Sequence, residues 1–270
     1  MSVYVSRIAC GEAKMATTWD PKQYLKFAGP RLRPALDLLA QIYVDDVKTI
    51  YDLGSGPGNL TQHFKDRWPE AQITGIDNSE EMLDAAREAH PDVTWIKADL
   101  TTWRPDEPAD VLYSNATLQW IAGHEVLLPR LVTYLKPGGV LAVQMPRNHG
   151  ALSHTLMEDA IKASAWEEKI RGAHGLLPVP GPEVYYDILH SCVNELNIWE
   201  SKFLQILEGD NAVAQWTKGT ALKPYLDMLG ENERQNFFDD YSARVQRAYP
   251  KHADGKTLFP FCRLFIVARL

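Results

Sequence analysis

Short apolar runs alternate with amphipathic stretches through the first half of this 270-residue chain. The apolar runs have the length and the flanking turn residues of buried strands. They lie at residues 47–53, 73–76, 93–97, 110–114 and 140–145. Stretches between them carry apolar residues at helical spacing, over 60–68, 79–89 and 123–134. This alternation predicts an α/β fold in which a mostly parallel sheet is covered by helices on both faces.

The pattern changes after Pro146. Residues 197–207 and 264–268 predict two further strands, which would complete a Rossmann-like, mostly parallel seven-stranded sheet. Between them, residues 211–250 show helical spacing and are rich in aromatic side chains. That block is too long for a hairpin loop, so we expect a helical cap inserted before the last strand.

The same pattern predicts the domain organisation. We expect one domain over residues 15–270, with further cap elements near 15–42 and 149–190. Residues 1–14 are short, mildly apolar and lack the apolar centre of a signal peptide, so we expect a poorly ordered leader. Without an export signal, the expected location is the cytoplasm.

Charge and cysteine content exclude several classes of function. The chain carries 28 Lys and Arg against 35 Asp and Glu, a net charge of −7, which argues against nucleic acid as a partner. No apolar run reaches the roughly 18 residues of a membrane span. The three cysteines are far apart and the histidines lack ligand spacing, so neither disulfides nor a metal site is expected. Nothing in the sequence indicates the oligomeric state.

The strand at 47–53 ends in a loop with three glycines spaced two apart, Gly54, Gly56 and Gly58, and Asp77 ends the next strand. This layout is typical of the nucleoside-binding half of a parallel sheet. A dinucleotide pyrophosphate favours a GxGxxG loop, whereas this loop is GxGxG and follows an acid, Asp52. That acid would repel a pyrophosphate and would suit a ligand with an ammonium group, such as S-adenosylmethionine. An NAD-dependent oxidoreductase is therefore the more distant alternative.

Four segments together carry a resemblance. The loop sequence DLGSGPGN at 52–59 is followed by GIDNS at 75–79, by ADL at 98–100 and by LKPGGVL at 135–141. In this order and at these separations they resemble the motifs of class I S-adenosylmethionine-dependent methyltransferases. The resemblance implies that residues 47–146 bind this cofactor, which leaves as S-adenosylhomocysteine.

A narrower resemblance extends from residue 19 to the C-terminus. The segments 19–24, 33–35, 115–120, 142–146, 185–189 and 263–269 are similar to those of the trans-aconitate 2-methyltransferase family. This implies that the partner is a small polycarboxylate and that one carboxylate oxygen of trans-aconitate is methylated, giving a monomethyl ester.

The resemblance also implies roles for matched residues. Asp52 would lie near the cofactor amine, Asp77 would accept from both ribose hydroxyls, and Asp99 would accept from the adenine amino group. The full cofactor set comprises Asp52, Gly54, Ser55, Gly56, Gly58, Asn59, Asp77, Asn78, Met82, Asp99, Leu100, Asn115 and Ala116. The expected acceptor-binding residues are Tyr24, Arg33, Trp120, Tyr185, Tyr186 and Arg263.

Some roles stay open at this point. Arg33 would serve either the acceptor or the methionine carboxylate. Tyr185 and Tyr186 are equally consistent with packing on a helix face, and Arg263 with a charge at a strand edge. A carboxylate is already ionised at neutral pH, so no catalytic general base is expected. The sequence is also compatible with a different small-molecule acceptor, such as an amine or phenol. The intact acids and the aromatic-rich cap argue against a further alternative, a module that binds cofactor without catalysis.

Overall fold

The computed structural model describes residues 28–170 and 177–270. The expected leader and Tyr24 lie outside the described residues. The strands are β1 (Thr49–Leu53), β2 (Gln72–Asp77), β3 (Thr94–Lys97), β4 (Ala109–Asn115), β5 (Leu135–Pro146), β6 (Glu195–Leu207) and β7 (Thr257–Arg269). The helices are α1 (Ala28–Leu39), α2 (Thr61–Arg67), α3 (Glu80–Ala89), α4 (His124–Val132), α5 (Leu152–Ala163), α6 (Glu167–Ile170), α7 (Pro182–Leu189), α8 (Ala212–Lys218), α9 (Lys223–Asp227) and α10 (Glu231–Ala248). A 3-10 turn spans Leu118–Trp120.

The strands form one seven-stranded sheet in the order β3-β2-β1-β4-β5-β7-β6. Strands β1 to β5 are parallel, and β7 runs antiparallel to both of its neighbours. The predicted fold class, a mostly parallel Rossmann-like sheet, is therefore confirmed. The order reverses between β1 and β4, and in open α/β sheets the ligand binds beyond the carboxyl ends of the strands at such a point.

The sheet is buried on both faces because side chains alternate along each strand. One face carries Ile50, Val111 and Phe265 and packs against α1 and α2. The opposite face carries Leu53 and Leu112 and packs against α4 and α7. Every residue of β1 is buried, which explains why the strand is mostly apolar, with Asp52 as its only charged residue.

A second apolar core forms the helical cap. Helices α5, α8, α9 and α10 pack around Trp216, Phe237 and Tyr241, and against Phe259 and Phe261 at the start of β7. The cap is therefore built on the extended ends of β6 and β7, as the position of residues 211–250 before the last strand predicted. The expected cap region 149–190 is divided between the two units, since α5 joins the cap core and α7 joins the sheet core.

Arg263 marks the boundary between sheet and cap. In β7, Phe259 and Phe261 before it pack in the cap core, whereas the buried residues from Leu264 onward pack in the sheet core. Just beyond β5, the Asn148 side chain donates to Cys262 O and accepts from Cys262 N, both at 2.9 Å. This side chain continues the ladder between β5 and β7 beyond Pro146, at the residue next to Arg263.

Candidate active site

The glycine loop follows β1 and is tied to the end of β2. Gly54 N and Ser55 N both donate to Ile76 O, at 2.7 and 3.0 Å. Gly54, Gly56 and Gly58 have φ of 79°, 54° and 78°, in the left-handed region that favours glycine. The spacing of the three glycines is thus explained by the backbone conformation that the loop adopts.

The loop is closed on one side and open on another. A Cβ added to Gly54 would lie 2.1 Å from Thr117 Oγ1, so the loop packs directly on the turn after β4. A Cβ added to Gly56 would meet nothing within 4 Å. The backbone at Gly56 therefore faces free space that a ligand can fill.

Asp77 closes this loop from the end of β2. Its Oδ2 accepts from Gly56 N at 2.9 Å, and its Oδ1 accepts from Ser79 N at 2.9 Å. Burial raises the pKa of Asp77, and the backbone N–H groups of Ser79, Gly56 and Asn78 oppose that effect. Each oxygen retains a further lone pair, so the carboxylate can still accept hydrogen bonds from a ligand.

Asp52 is the most perturbed acid of the site. It is 4% exposed and lies on β1 between Gly75 of β2 and Tyr113 of β4. Burial, with a smaller contribution from the charge of Asp77, raises the pKa of Asp52 to about 7. A buried carboxylate of this kind is stabilised when a cation binds beside it.

The third predicted acid, Asp99, follows β3. Its Oδ1 accepts from Thr101 N at 2.9 Å and from Thr101 Oγ1 at 2.7 Å, which orders the turn. The guanidinium of Arg130 on α4 donates to Leu100 O and Thr101 O, each at 2.5 Å. Arg130 was not among the predicted residues, and it holds the segment that carries Asp99 and Leu100.

The other predicted cofactor residues surround the loop. Asn59 and Asn78 are exposed, whereas Ser55 and Met82 are buried. Ala116 has φ of 56°, a conformation uncommon for alanine, and its N–H donates to Gln144 O at 2.9 Å. The chain therefore turns sharply just after Asn115, where β4 ends, and returns towards the glycine loop.

Three amide side chains lie around this turn. Gln119 is 4% exposed and Gln144 is fully buried, and Asn115 is in register with Gln144 across β4 and β5. Asn115 Oδ1, Gln119 Oε1 and Gln144 Nε2 are buried and have no hydrogen-bond partner within the part of the chain that the structure describes. Buried polar atoms without partners are rare, and a cluster of them at the carboxyl edge indicates a ligand site. Gln119 and Gln144 were not predicted. The available signal was a glutamine in each of two segments, 115–120 and 142–146, that carry the family resemblance.

The structure brings Arg263 to the same face of the sheet. It is 4% exposed, its Nη1 donates to Gln144 Oε1 at 3.0 Å, and its guanidinium lies 4.9 Å from the centroid of Phe261. Arg33 on α1 lies over Phe203, 5.6 Å from the ring centroid, and Phe203 is the register partner of Phe261. Two cations thus lie beside neighbouring aromatic rings, Arg263 deeply buried and Arg33 exposed and 3.8 Å from Asp37.

The predicted tyrosines occupy different surroundings. Tyr185 is fully buried in the core on the opposite face of the sheet, where its hydroxyl donates to His124 Nδ1 at 2.8 Å. His124 Nε2 donates in turn to Leu118 O at 2.9 Å, in the turn that carries Trp120. Tyr186 is 56% exposed and stacks on His190. The structure therefore does not bring Tyr185 and Tyr186 to Arg263, while the half-buried Trp120 lies on the turn directly after Asn115.

Other classes of site are not formed by these residues. In the ranges 28–170 and 177–270, no group of three His, Cys, Asp or Glu side chains could hold a metal ion. None of the helices described has both the length and the apolar character needed to cross a membrane.

Comparisons with known proteins define the class and then the family. Residues 50–139 match a methyltransferase domain, the segment that contains the glycine loop, Asp77 and Asp99. The chain is 45% identical over 251 residues to trans-aconitate 2-methyltransferase of Azoarcus sp. strain BH72, covering 93% of this chain and 98% of that protein. Identity to the Escherichia coli O139:H28 protein of the same name is 42%, with the same coverage. The chain belongs to the trans-aconitate 2-methyltransferase family.

Solved structures share the fold at low identity. A Bacillus subtilis protein has a TM-score of 0.58 at 12% identity, covering 88% of this chain and 98% of that one. Phosphoethanolamine N-methyltransferase 2 of Haemonchus contortus, solved with S-adenosyl-L-methionine, has a TM-score of 0.57 at 16% identity, covering 92% and 56%. These likenesses support the same seven-stranded architecture.

Proposed function

We propose that this chain transfers a methyl group from S-adenosylmethionine to a carboxylate oxygen of trans-aconitate, forming a monomethyl ester. Membership of the trans-aconitate 2-methyltransferase family at 45% identity over nearly the full chain carries the proposal. The charges of the site support it. Asp52 and Asp77 lie where the cationic cofactor would bind, and the buried Arg263 lies where the anionic acceptor would bind. The cytoplasmic location remains a prediction from the sequence.

The residues present fit this cofactor. Gly56 leaves free space above bare backbone, and Asp77 has lone pairs available for two hydroxyls. Asp52 is a buried acid without a cation beside it among the contacts of the described residues, which suits an ammonium group. We assign Asp52 to the amine, Asp77 to the ribose, and the turn at Asp99 and Leu100 to the adenine.

The cofactor supplies a methyl group on a sulfonium, which an oxygen nucleophile can accept without proton transfer. The chain must therefore bind and orient the two ligands, because proximity and alignment lower the barrier of a reaction between two bound molecules. We assign the acceptor to the face of the sheet that carries Asn115, Gln144 and Arg263. Arg263 is the natural partner of a second carboxylate, since a guanidinium can form two parallel bonds with one.

Solvent exclusion is the second contribution of the fold. Arg263 lies where the sheet core meets the cap core, so the acceptor would bind between the two. Removing water strengthens the attraction between Arg263 and an anion. Of the other predicted acceptor residues, Trp120 and Arg33 are consistent with this position, whereas the geometry offers no support for Tyr186.

A methyl-transfer assay over a panel of small acids tests the proposal. Trans-aconitate should be methylated fastest, other di- and tricarboxylates more slowly, and amines and phenols not at all, because the buried Arg263 favours an acceptor that is already anionic. Comparable rates with a neutral phenol or an amine would contradict the proposed acceptor class. The chain would still be a methyltransferase in that case.

A further inference from the structure

We propose that Gln144 binds the reacting carboxylate of the acceptor through its Nε2 amide, and so makes the site selective for an anionic acceptor. This inference rests on the proposed function. Gln144 is fully buried at the carboxyl end of β5. It lies between Asn115, its register partner on β4, and Arg263 on β7. It is thus placed between Asn115, for which the family resemblance implies a position near the cofactor, and Arg263, which we assign to the acceptor.

The orientation of the Gln144 amide is determined by its neighbour. A guanidinium carries only donors, so the atom that faces Arg263 Nη1 at 3.0 Å must be Oε1. Nε2 therefore points away from Arg263, and it has no hydrogen-bond partner among the described residues. Leaving a buried donor unsatisfied costs free energy, which a ligand oxygen would recover.

Gln119 shows the opposite polarity. Its Nε2 donates to Ala116 O at 2.6 Å, and because a carbonyl only accepts, the assignment of this amide is also determined. The atom left without a partner is Oε1, an acceptor. An ionised carboxylate has no proton to offer it, so Gln119 cannot bind the acceptor in this way. Of these two amides with determined orientation, Gln144 alone presents a donor.

The contact with Arg263 strengthens this donor. A cation bonded to the amide oxygen draws electron density from the amide, which makes its N–H groups more acidic. The carboxylate would then accept a hydrogen bond from a neutral amide that is itself polarised by the buried positive charge of Arg263. Because Gln144 is neutral, it can be fully buried without the desolvation that a second cation would suffer.

Two substitutions separate carboxylate binding from a role through Arg263. Gln144→Met removes the donor with little change of volume, and should raise the KM for trans-aconitate roughly 10- to 100-fold, as expected for a lost bond to a charged group. Gln144→Glu retains an acceptor for Arg263 but places a negative charge against the carboxylate, so its KM should rise further. Calorimetry should find S-adenosylhomocysteine affinity within about twofold of the wild type in both, since they leave the glycine loop unchanged.

The order of the two variants decides between the roles. If Gln144 only positions Arg263, Gln144→Glu should be the milder change, and that order would overturn the inference. Gln72→Glu, an exposed change on β2, serves as the control and should leave the KM unaltered.

A double-mutant cycle settles the matter if the charged variant does not fold. Gln144→Met should still raise the KM in an Arg263→Ala background, whereas no further rise would show that Gln144 acts only through Arg263. An active wild type with an unaltered KM in Gln144→Met would reject this inference alone. A wild type that methylates no carboxylic acid would reject the proposed function instead.

Discussion

Replacing Asp52 by Asn should stabilise the free protein while weakening cofactor binding. Asp52 is 4% exposed on β1, and burial raises its pKa to about 7 from an ordinary 3.8. The fold therefore holds an acid that is destabilising when ionised. Asparagine has nearly the same shape and cannot ionise, so the substitution removes the charge and leaves the packing.

The pKa sets the size and the sign of the effect. Between pH 3.8 and about 7 the folded state retains a proton on Asp52 that the unfolded chain has lost. The free energy of unfolding of the wild type must then fall as the pH rises across this window. The difference between the two pKa values corresponds to about 4 kcal/mol, an upper bound reached above pH 7.

Denaturant unfolding of both proteins at a series of pH values measures this difference. The two curves should nearly coincide at pH 4 and diverge as the pH rises, with Asp52→Asn the more stable by up to about 4 kcal/mol at pH 8. A difference independent of pH, or a variant less stable at pH 8, would refute the assignment of a raised pKa to Asp52.

Ligand binding should change in the opposite direction. Asp52→Asn should weaken S-adenosylhomocysteine binding roughly 10- to 100-fold, because a charge-assisted bond to the ammonium group is lost. In the wild type, affinity should rise with pH through about 7, as Asp52 ionises. Calorimetry at pH 6 and 8 distinguishes the two proteins, since Asp52→Asn should lack this pH dependence.

Further substitutions test the acceptor side, the loop and the tyrosine. Arg263→Ala should raise the KM for trans-aconitate at least about tenfold with cofactor affinity unchanged in calorimetry, and an unaltered KM would remove Arg263 from the site. Gly54→Ala should lower stability by about 1–3 kcal/mol in thermal unfolding, since its Cβ would lie 2.1 Å from the Thr117 side chain. Gly56→Ala, whose Cβ enters open space, should lower stability by about 1 kcal/mol yet weaken cofactor binding strongly. Equal effects of Gly54→Ala and Gly56→Ala on stability and on binding would contradict the free space observed at Gly56. Tyr185→Phe should cost about 1 kcal/mol of stability and leave the acceptor KM near the wild-type value, whereas a large rise in KM would restore Tyr185 to direct acceptor binding.

The signals that predict the cofactor residues are local in the sequence, and the structure shows that these residues lie near one another. A glycine that needs a positive φ, such as Gly54, is visible as a residue type at a turn. Asp77 ends β2 and Asp52 lies one residue before the end of β1, and parallel strands bring their carboxyl ends to one edge of the sheet. The spacing along the chain therefore implies proximity in space.

The acceptor half depends on register between distant strands. Gln144 and Arg263 are 119 residues apart in sequence and meet because β5 and β7 pair antiparallel. No local pattern specifies that register, so the sequence did not predict the contact between Gln144 and Arg263, although both residues lie in segments that carry the family resemblance. The positions of Tyr185 and Tyr186 were also not predictable from the sequence. Neighbouring residues on a helix point about 100° apart, so at most one of the two faces the core directly. The pattern of apolar residues did not show which of them faces the core.

Esterification of a trans-aconitate carboxylate by this chain can be observed in the product itself. The wild-type enzyme is incubated with trans-aconitate and S-adenosylmethionine labelled with ¹³C in its methyl group. We expect one labelled methyl per product, with the carbon shift of a methyl ester and a long-range coupling to one carboxyl carbon. A labelled methyl bonded to a carbon of the acceptor, or no labelled product from trans-aconitate, would contradict the proposed reaction.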